Sequence, residues 1–147
     1  MKFNSENLTG NNNEVKNANT EDKKIVYHRT SKLKAKKILE EGIFKNSSKG
    51  FYGLGVYTVE DLESTLTSYA KKHYGNTIVR CEISYEGYKE FVRFQDSVMA
   101  LEFSKHNNPT GMIYTNKNDG NVVFIKDIET VKPISYSVND GKDWKLS

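Results

Sequence analysis

His28 ends the apolar run Ile25-Val26-Tyr27, Tyr57 stands in Gly53-Leu54-Gly55-Val56-Tyr57-Thr58, and Tyr69 follows twelve residues later in Ser68-Tyr69-Ala70. These residue types at this spacing suit one chemistry. An imidazole serves ribose hydroxyls, aromatic faces stack a planar ring, and a backbone N–H and C=O at a strand end, here at Arg29, pair with a carboxamide. A carboxylate would complete the set by stabilising the positive charge that develops on a ribose as its glycosidic bond breaks. The pattern points to a nicotinamide-dinucleotide site without a Rossmann fingerprint. Taken singly, His28 reads as a structural histidine, Gly53 and Gly55 as a turn, and the two tyrosines as core aromatics. Their joint occurrence favours the site.

The elements that must position these residues follow from the pattern on either side. Ile25-Val26-Tyr27 has the β-branched and aromatic character of a short buried strand. Thr30 or Ser31 then caps a helix with Leu33, Ala35, Ile38 and Leu39 on one side, and Gly42 closes it. Lys45 to Gly55 is dense in Asn, Ser and Gly and reads as a loop, with a strand beginning at Val56. From Glu60 or Asp61, the apolar set Leu62, Leu66, Tyr69, Ala70 and His73 predicts a second helix ended by Gly75, with Tyr69 on its inner face. Ile78 to Tyr85 alternates as a strand, with Val79, Cys81, Ile83 and Tyr85 on the buried side. A helix is expected over Gln95 to His106, followed by strands at Gly111 to Thr115, Val122 to Ile125 and Ile134 to Val138, and a hairpin turn at Asn139-Asp140-Gly141 with Trp144 over the core edge. The fold class is α+β.

Composition narrows the partners. The 147 residues make one domain, and Met1 to Lys24 is too polar to bury a core, so a tail over 1–24 and a folded domain over 25–147 are expected. Lys and Arg number 22 against 19 acids, a net +3, and Lys32, Lys34, Lys36 and Lys37 read as the solvated face of a helix. The lone Cys81 reads as a core thiol, and with no leader or membrane-length apolar run a cytoplasmic protein is expected, with no membrane partner. His73 and His106 lack partners at metal spacing, so no metal is expected. Glu40-Glu41, Glu60-Asp61 and Glu63 read as helix-end and surface charges.

Tyr27-His28-Arg29-Thr30-Ser31, Gly53-Leu-Gly-Val-Tyr57-Thr and Ser68-Tyr69-Ala70 resemble the three leading motifs of ADP-ribosyltransferases of the poly(ADP-ribose) polymerase and diphtheria-toxin type. Gly111-Met-Ile-Tyr-Thr-Asn116 and Asn121-Val-Val-Phe124 are similar to the last strands of small, phage-associated members, and the likeness spans about Ile25 to Pro133. The resemblance implies a split mixed or antiparallel β-sheet core with flanking helices, and NAD as substrate. It implies that His28 bonds the ribose, the Arg29 backbone clamps the nicotinamide amide, and Thr30 and Ser31 line the pocket. Tyr57 becomes the second catalytic residue and Tyr69 the stacking ring, while the loop holding Gly53 and Gly55 closes over the dinucleotide.

Two departures from the family pattern matter. Arg29 replaces a glycine, bringing a charged side chain toward the cofactor phosphates. The catalytic glutamate is absent, and Asp119, Gly120 and Asn121 occupy its neighbourhood. Asp119 is the expected charge stabiliser, with Asn116 or Asn121 offering only neutral hydrogen bonds. Three functions compete: a mono-ADP-ribosyltransferase acting on a protein or nucleic-acid acceptor as a toxin, phage effector or anti-defence factor; an RNA 2′-phosphotransferase-like enzyme using NAD; and an inactive NAD-binding or interaction module.

Overall fold

The structure is a computed structural model that describes residues 15–17, 23–44, 48–50, 53–91, 105, 110–116 and 120–146. Its strands are β1 (Val15–Asn17), β2 (Lys23–Thr30), β3 (Ser48–Gly50), β4 (Gly53–Val59), β5 (Thr77–Ser84), β6 (Tyr88–Phe91), β7 (Gly111–Asn116), β8 (Gly120–Ile125) and β9 (Val131–Ser137), with helices α1 (Lys32–Glu41) and α2 (Ser68–Tyr74). The strands form one mixed sheet in the order β1-β6-β7-β8-β4-β2-β5-β9, with β3 paired to β4. β6 and β7 run parallel; the other pairs are antiparallel. No described helix is long and apolar enough to cross a membrane.

The centre of the sheet is its weakest seam. β2 pairs with β5 along all eight residues, from Lys23↔Ser84 to Thr30↔Thr77, and β4 pairs with β8 from Val56↔Ile125 to Val59↔Val122. Between β2 and β4 the register holds at Tyr27↔Val59 alone. Beyond that pair the strands part, leaving backbone groups that need other partners.

Alternation about that seam assigns the faces. One face carries Val26, Val56, Val79, Cys81, Ile83, Val123 and Ile125, packed with Ala35 of α1, Phe44, Tyr85, Tyr88 and Tyr136 as the larger core. The other carries a smaller cluster of Phe91, Met112 and Phe124, joined by Tyr57 and Tyr114. Cys81, in the larger core, is fully buried as a core thiol, and desolvation pushes its pKa up.

At the element level the caps of α1 hold and several other expectations change. Ser31, not Thr30, caps α1: its Oγ accepts from the Lys34 N–H at 3.2 Å, and Gly42, at φ 72°, returns its N–H to Ile38 O. Leu33 is 80% exposed, because it stands about 200° around the helix from the buried Ala35. The segment read as a loop holds the β3–β4 hairpin, so β4 starts at Gly53 rather than Val56. The second helix is interrupted. Leu62–Leu66 is a 3-10 turn, Thr67 is extended, and its hydroxyl caps α2 by accepting from Ala70 N–H at 3.1 Å. Threonine hydroxyls at 65 and 67 compete with helical bonding here; that of Thr65 donates to Leu62 O at 2.6 Å. Val15–Asn17, inside the polar stretch read as a tail, pairs with β6, since edge pairing uses backbone groups and needs no apolar side chains. The helix expected over Gln95 to His106 lies outside the described residues except for Lys105.

The C-terminal turn follows the sequence pattern. Asp140 and Gly141 both have positive φ, 52° and 87°, and Lys142 N–H bonds to Asn139 O at 3.1 Å. That is the geometry which matches the twist of paired strands. Trp144 lies under the Arg80 guanidinium at 4.3 Å and beside Tyr27.

Candidate active site

His28 sits where β2 leaves β4. Its Nδ1 lies 2.8 Å from the carbonyl oxygen of Tyr57, giving that carbonyl a partner at the seam. A carbonyl only accepts, so the proton is on Nδ1 and a neutral His28 keeps Nε2 as an acceptor. Burial holds the imidazole pKa below its usual value; the Tyr57 bond opposes this, and the nearby Lys34 charge adds to it. The ring meets Phe44 edge-on at 5.3 Å, which fixes its plane.

The residue lines a cleft of about 220 Å³ between α1 and the parting strands. Lys34, Lys37 and Glu41 of α1 supply charge, Ile38, Ile43, Phe44 and Val56 supply apolar wall, and Thr30 and Gly55 complete it. Such a lining suits a ligand with an anionic part, hydroxyls and a flat apolar part. Lys34 and Lys37, expected only as part of a solvated helix face, and Phe44, not singled out in the sequence, join the site. Lys34 and Lys37 are three apart on one helix, a spacing that places both on one side, and this was the available signal.

The other expected residues divide. Thr30 is buried in the cleft wall, Ser31 is spent as the α1 cap, and Gly53 opens β4 opposite Gly50. Tyr57 pairs with Phe124 and packs its ring on it at 4.7 Å, on the sheet face opposite His28. Tyr69, expected on an inner helix face, is 40% exposed and stacks on His73 at 4.4 Å. The three groups expected to converge are therefore linked only in part: His28 reaches the Tyr57 backbone, while the two tyrosine rings have separate packing partners.

Arg29 also departs from expectation. Its guanidinium is turned to the face opposite the cleft, donating from Nε to Gly75 O at 2.7 Å and from Nη1 to Thr65 O at 3.0 Å, with Asp140 at 3.5 Å. Alternation along β2 forces this, since neighbours of His28 point the other way. The side chain staples the ends of the 3-10 turn and of α2 to the sheet.

Asp119 lies outside the described residues, and Asn116 ends β7 in register with Gly120. Asn121 is engaged: its amide donates to Glu60 at 3.0 Å and its carbonyl accepts from Thr115 at 3.0 Å. Glu60, read as a surface charge, instead accepts from the buried Tyr85 hydroxyl at 2.5 Å as well. Its position one residue past β4 puts it between β8 and the end of β5, a juxtaposition created by sheet order. No metal-holding group of His, Cys, Asp and Glu occurs among the described residues. The chain matches no family model, and no curated protein matches it.

Proposed function

We propose that the protein is a mono-ADP-ribosyltransferase that takes NAD as substrate and passes ADP-ribose to a macromolecule. The observation that supports this reading best is the neutral-tautomer His28 at the sheet seam, on a cleft that also presents two lysines and an aromatic wall. In this reading Nε2 accepts from a ribose hydroxyl, Lys34 and Lys37 face the diphosphate, and Phe44 with Ile38 packs on a flat ring. The cleft is smaller than the roughly 300–1,000 Å³ that encloses a whole drug-sized ligand, so it takes part of the dinucleotide. The bond between ribose C1′ and the nicotinamide nitrogen breaks with its electron pair leaving on nicotinamide. The acceptor then forms a bond to C1′ and loses its proton. Asp119 is the residue assigned to the cationic ribose.

Nicotinamide release from NAD by the pure protein tests the reading. Release lost in His28→Ala and Asp119→Ala supports it, and its absence from the unaltered protein overturns it. Two observations favour a second reading, an inactive NAD-binding or interaction module on the same fold: the Tyr57 ring packs on the sheet face opposite His28, and the expected glutamate is missing. Saturable NAD binding without release selects that module.

A further inference from the structure

Tyr27, Arg80 and Ser135 lie side by side across β2, β5 and β9, through the register pairs Tyr27↔Arg80 and Arg80↔Ser135. Alternation puts this row on the sheet face opposite His28 and its cleft. Trp144 packs against the row, its ring centre 4.3 Å from the Arg80 guanidinium and 6.3 Å from the Tyr27 ring. The Arg80 Nε donates at 3.1 Å to the hydroxyl of Ser135, a residue fully buried in the sheet. The ladder also shifts register between Arg80 and Cys81, an irregularity of the kind that re-aims a side chain.

The guanidinium is therefore fixed in place but not saturated. Arg29, on the same face, spends its Nε on Gly75 O, its Nη1 on Thr65 O and its Nη2 on Asp140, as a structural arginine does. Arg80 differs. Only its Nε has an acceptor, and neither Nη group meets a carbonyl or carboxylate among the described residues. Further along this face Glu82 stands across from Lys132, so the one acid beside Arg80 on β5 faces a cation of its own. A guanidinium held flat by an indole and by one hydrogen bond presents its remaining N–H groups as a preformed fork for two oxygens of an anion. A phosphate suits this partly exposed fork better than a carboxylate, since it carries more charge and keeps oxygens for solvent.

We infer that Arg80, held by Trp144 and Ser135, binds a phosphate group, free or carried by a nucleotide, on the sheet face away from the His28 cleft. Arg80 Nη1 and Nη2 donate to two of its oxygens. Tyr27, beside Trp144, gives the base of a nucleotide a ring to lie against. The site stands whether or not the protein transfers ADP-ribose.

Trp144 is the single tryptophan of the chain, so its fluorescence reports on the guanidinium stacked against it. The unaltered protein is titrated at constant ionic strength with inorganic phosphate, adenosine monophosphate, adenosine and acetate. Inorganic phosphate and the nucleotide are expected to change the emission saturably by about 10 mM. Tighter binding of the nucleotide identifies a nucleotide site, and equal affinities identify the free ion. The double variant Lys34→Gln, Lys37→Gln, altered in the cleft alone, should keep the whole Trp144 response. In that background, calorimetric titration should show phosphate binding weakened about tenfold by Arg80→Gln and about fivefold by Arg80→Lys, which keeps the charge and loses the fork. Ser135→Ala, which removes the anchor and leaves the guanidinium, should weaken it about threefold. No saturable change, adenosine binding as well as its monophosphate, acetate binding as well as phosphate, a response lost in the cleft variant, or full affinity in both Arg80 variants would each overturn the inference.

Discussion

The His28 Nδ1 donates to the Tyr57 carbonyl at 2.8 Å across the point where β2 and β4 separate, so a side chain replaces a ladder bond at the centre of the sheet. That bond persists in either protonation state, but the burial of the ring penalises its charged form, which couples the seam to pH.

That dependence has a sign. His28 is held below its usual value by burial, so the unfolded chain binds its proton first as pH falls. Stability supplied by the neutral form is complete above about pH 6.5 and is lost as pH drops toward the folded-state value. Urea midpoints of the unaltered protein should therefore fall between about pH 7.5 and about pH 5.5 more steeply than those of His28→Gln. Parallel pH profiles for the two proteins would count against a titrating seam.

Arg29 is a structural staple and should behave as one. Its side chain is only 5% exposed, and both of its carbonyl partners lose a charged donor on truncation. Arg29→Ala is expected to cost about 2–4 kcal/mol in chemical denaturation. Arg29→Lys recovers little of this, because one ammonium cannot serve two carbonyls in fork geometry. Asp140→Asn should cost under about 1 kcal/mol, since its carboxylate is half exposed to solvent.

Gly55 is fixed by packing as well as by any ligand. A Cβ there would stand 2.5 Å from the Phe124 ring and 2.6 Å from the Ile125 carbonyl oxygen, and the second of these is backbone. Gly55→Ala should lower stability by about 1–3 kcal/mol in the absence of NAD. A calorimetric scan of the ligand-free protein checks this; an unchanged midpoint would return Gly55 to a purely ligand-facing role.

Local signals were legible wherever the chain itself supplies the partner. The Asp140-Gly141 turn, the Gly42 stop and the buried alternation of Val79, Cys81 and Ile83 need only near neighbours or one face of a strand. The second helix was misjudged at Thr67, because apolar spacing does not register a hydroxyl that takes over the N–H of Ala70. Glu60 was misread for a different reason: its partners Tyr85 and Asn121 are distant in sequence, and only sheet order brings them to it.

From the chain alone came the α+β class, the caps of α1, the core thiol and the expectation that His28 carries the chemistry. These depend on periodicity, backbone conformation and side-chain type, all of which are properties of short segments. Tertiary structure alone decided which face each group occupies. The single Tyr27↔Val59 pairing opens the seam, strand alternation sends Arg29 away from the cleft, and the Thr30↔Thr77 register brings Gly75, after α2, against Thr30 and Ser31 before α1. Such choices depend on which strands become neighbours, and no local pattern encodes that.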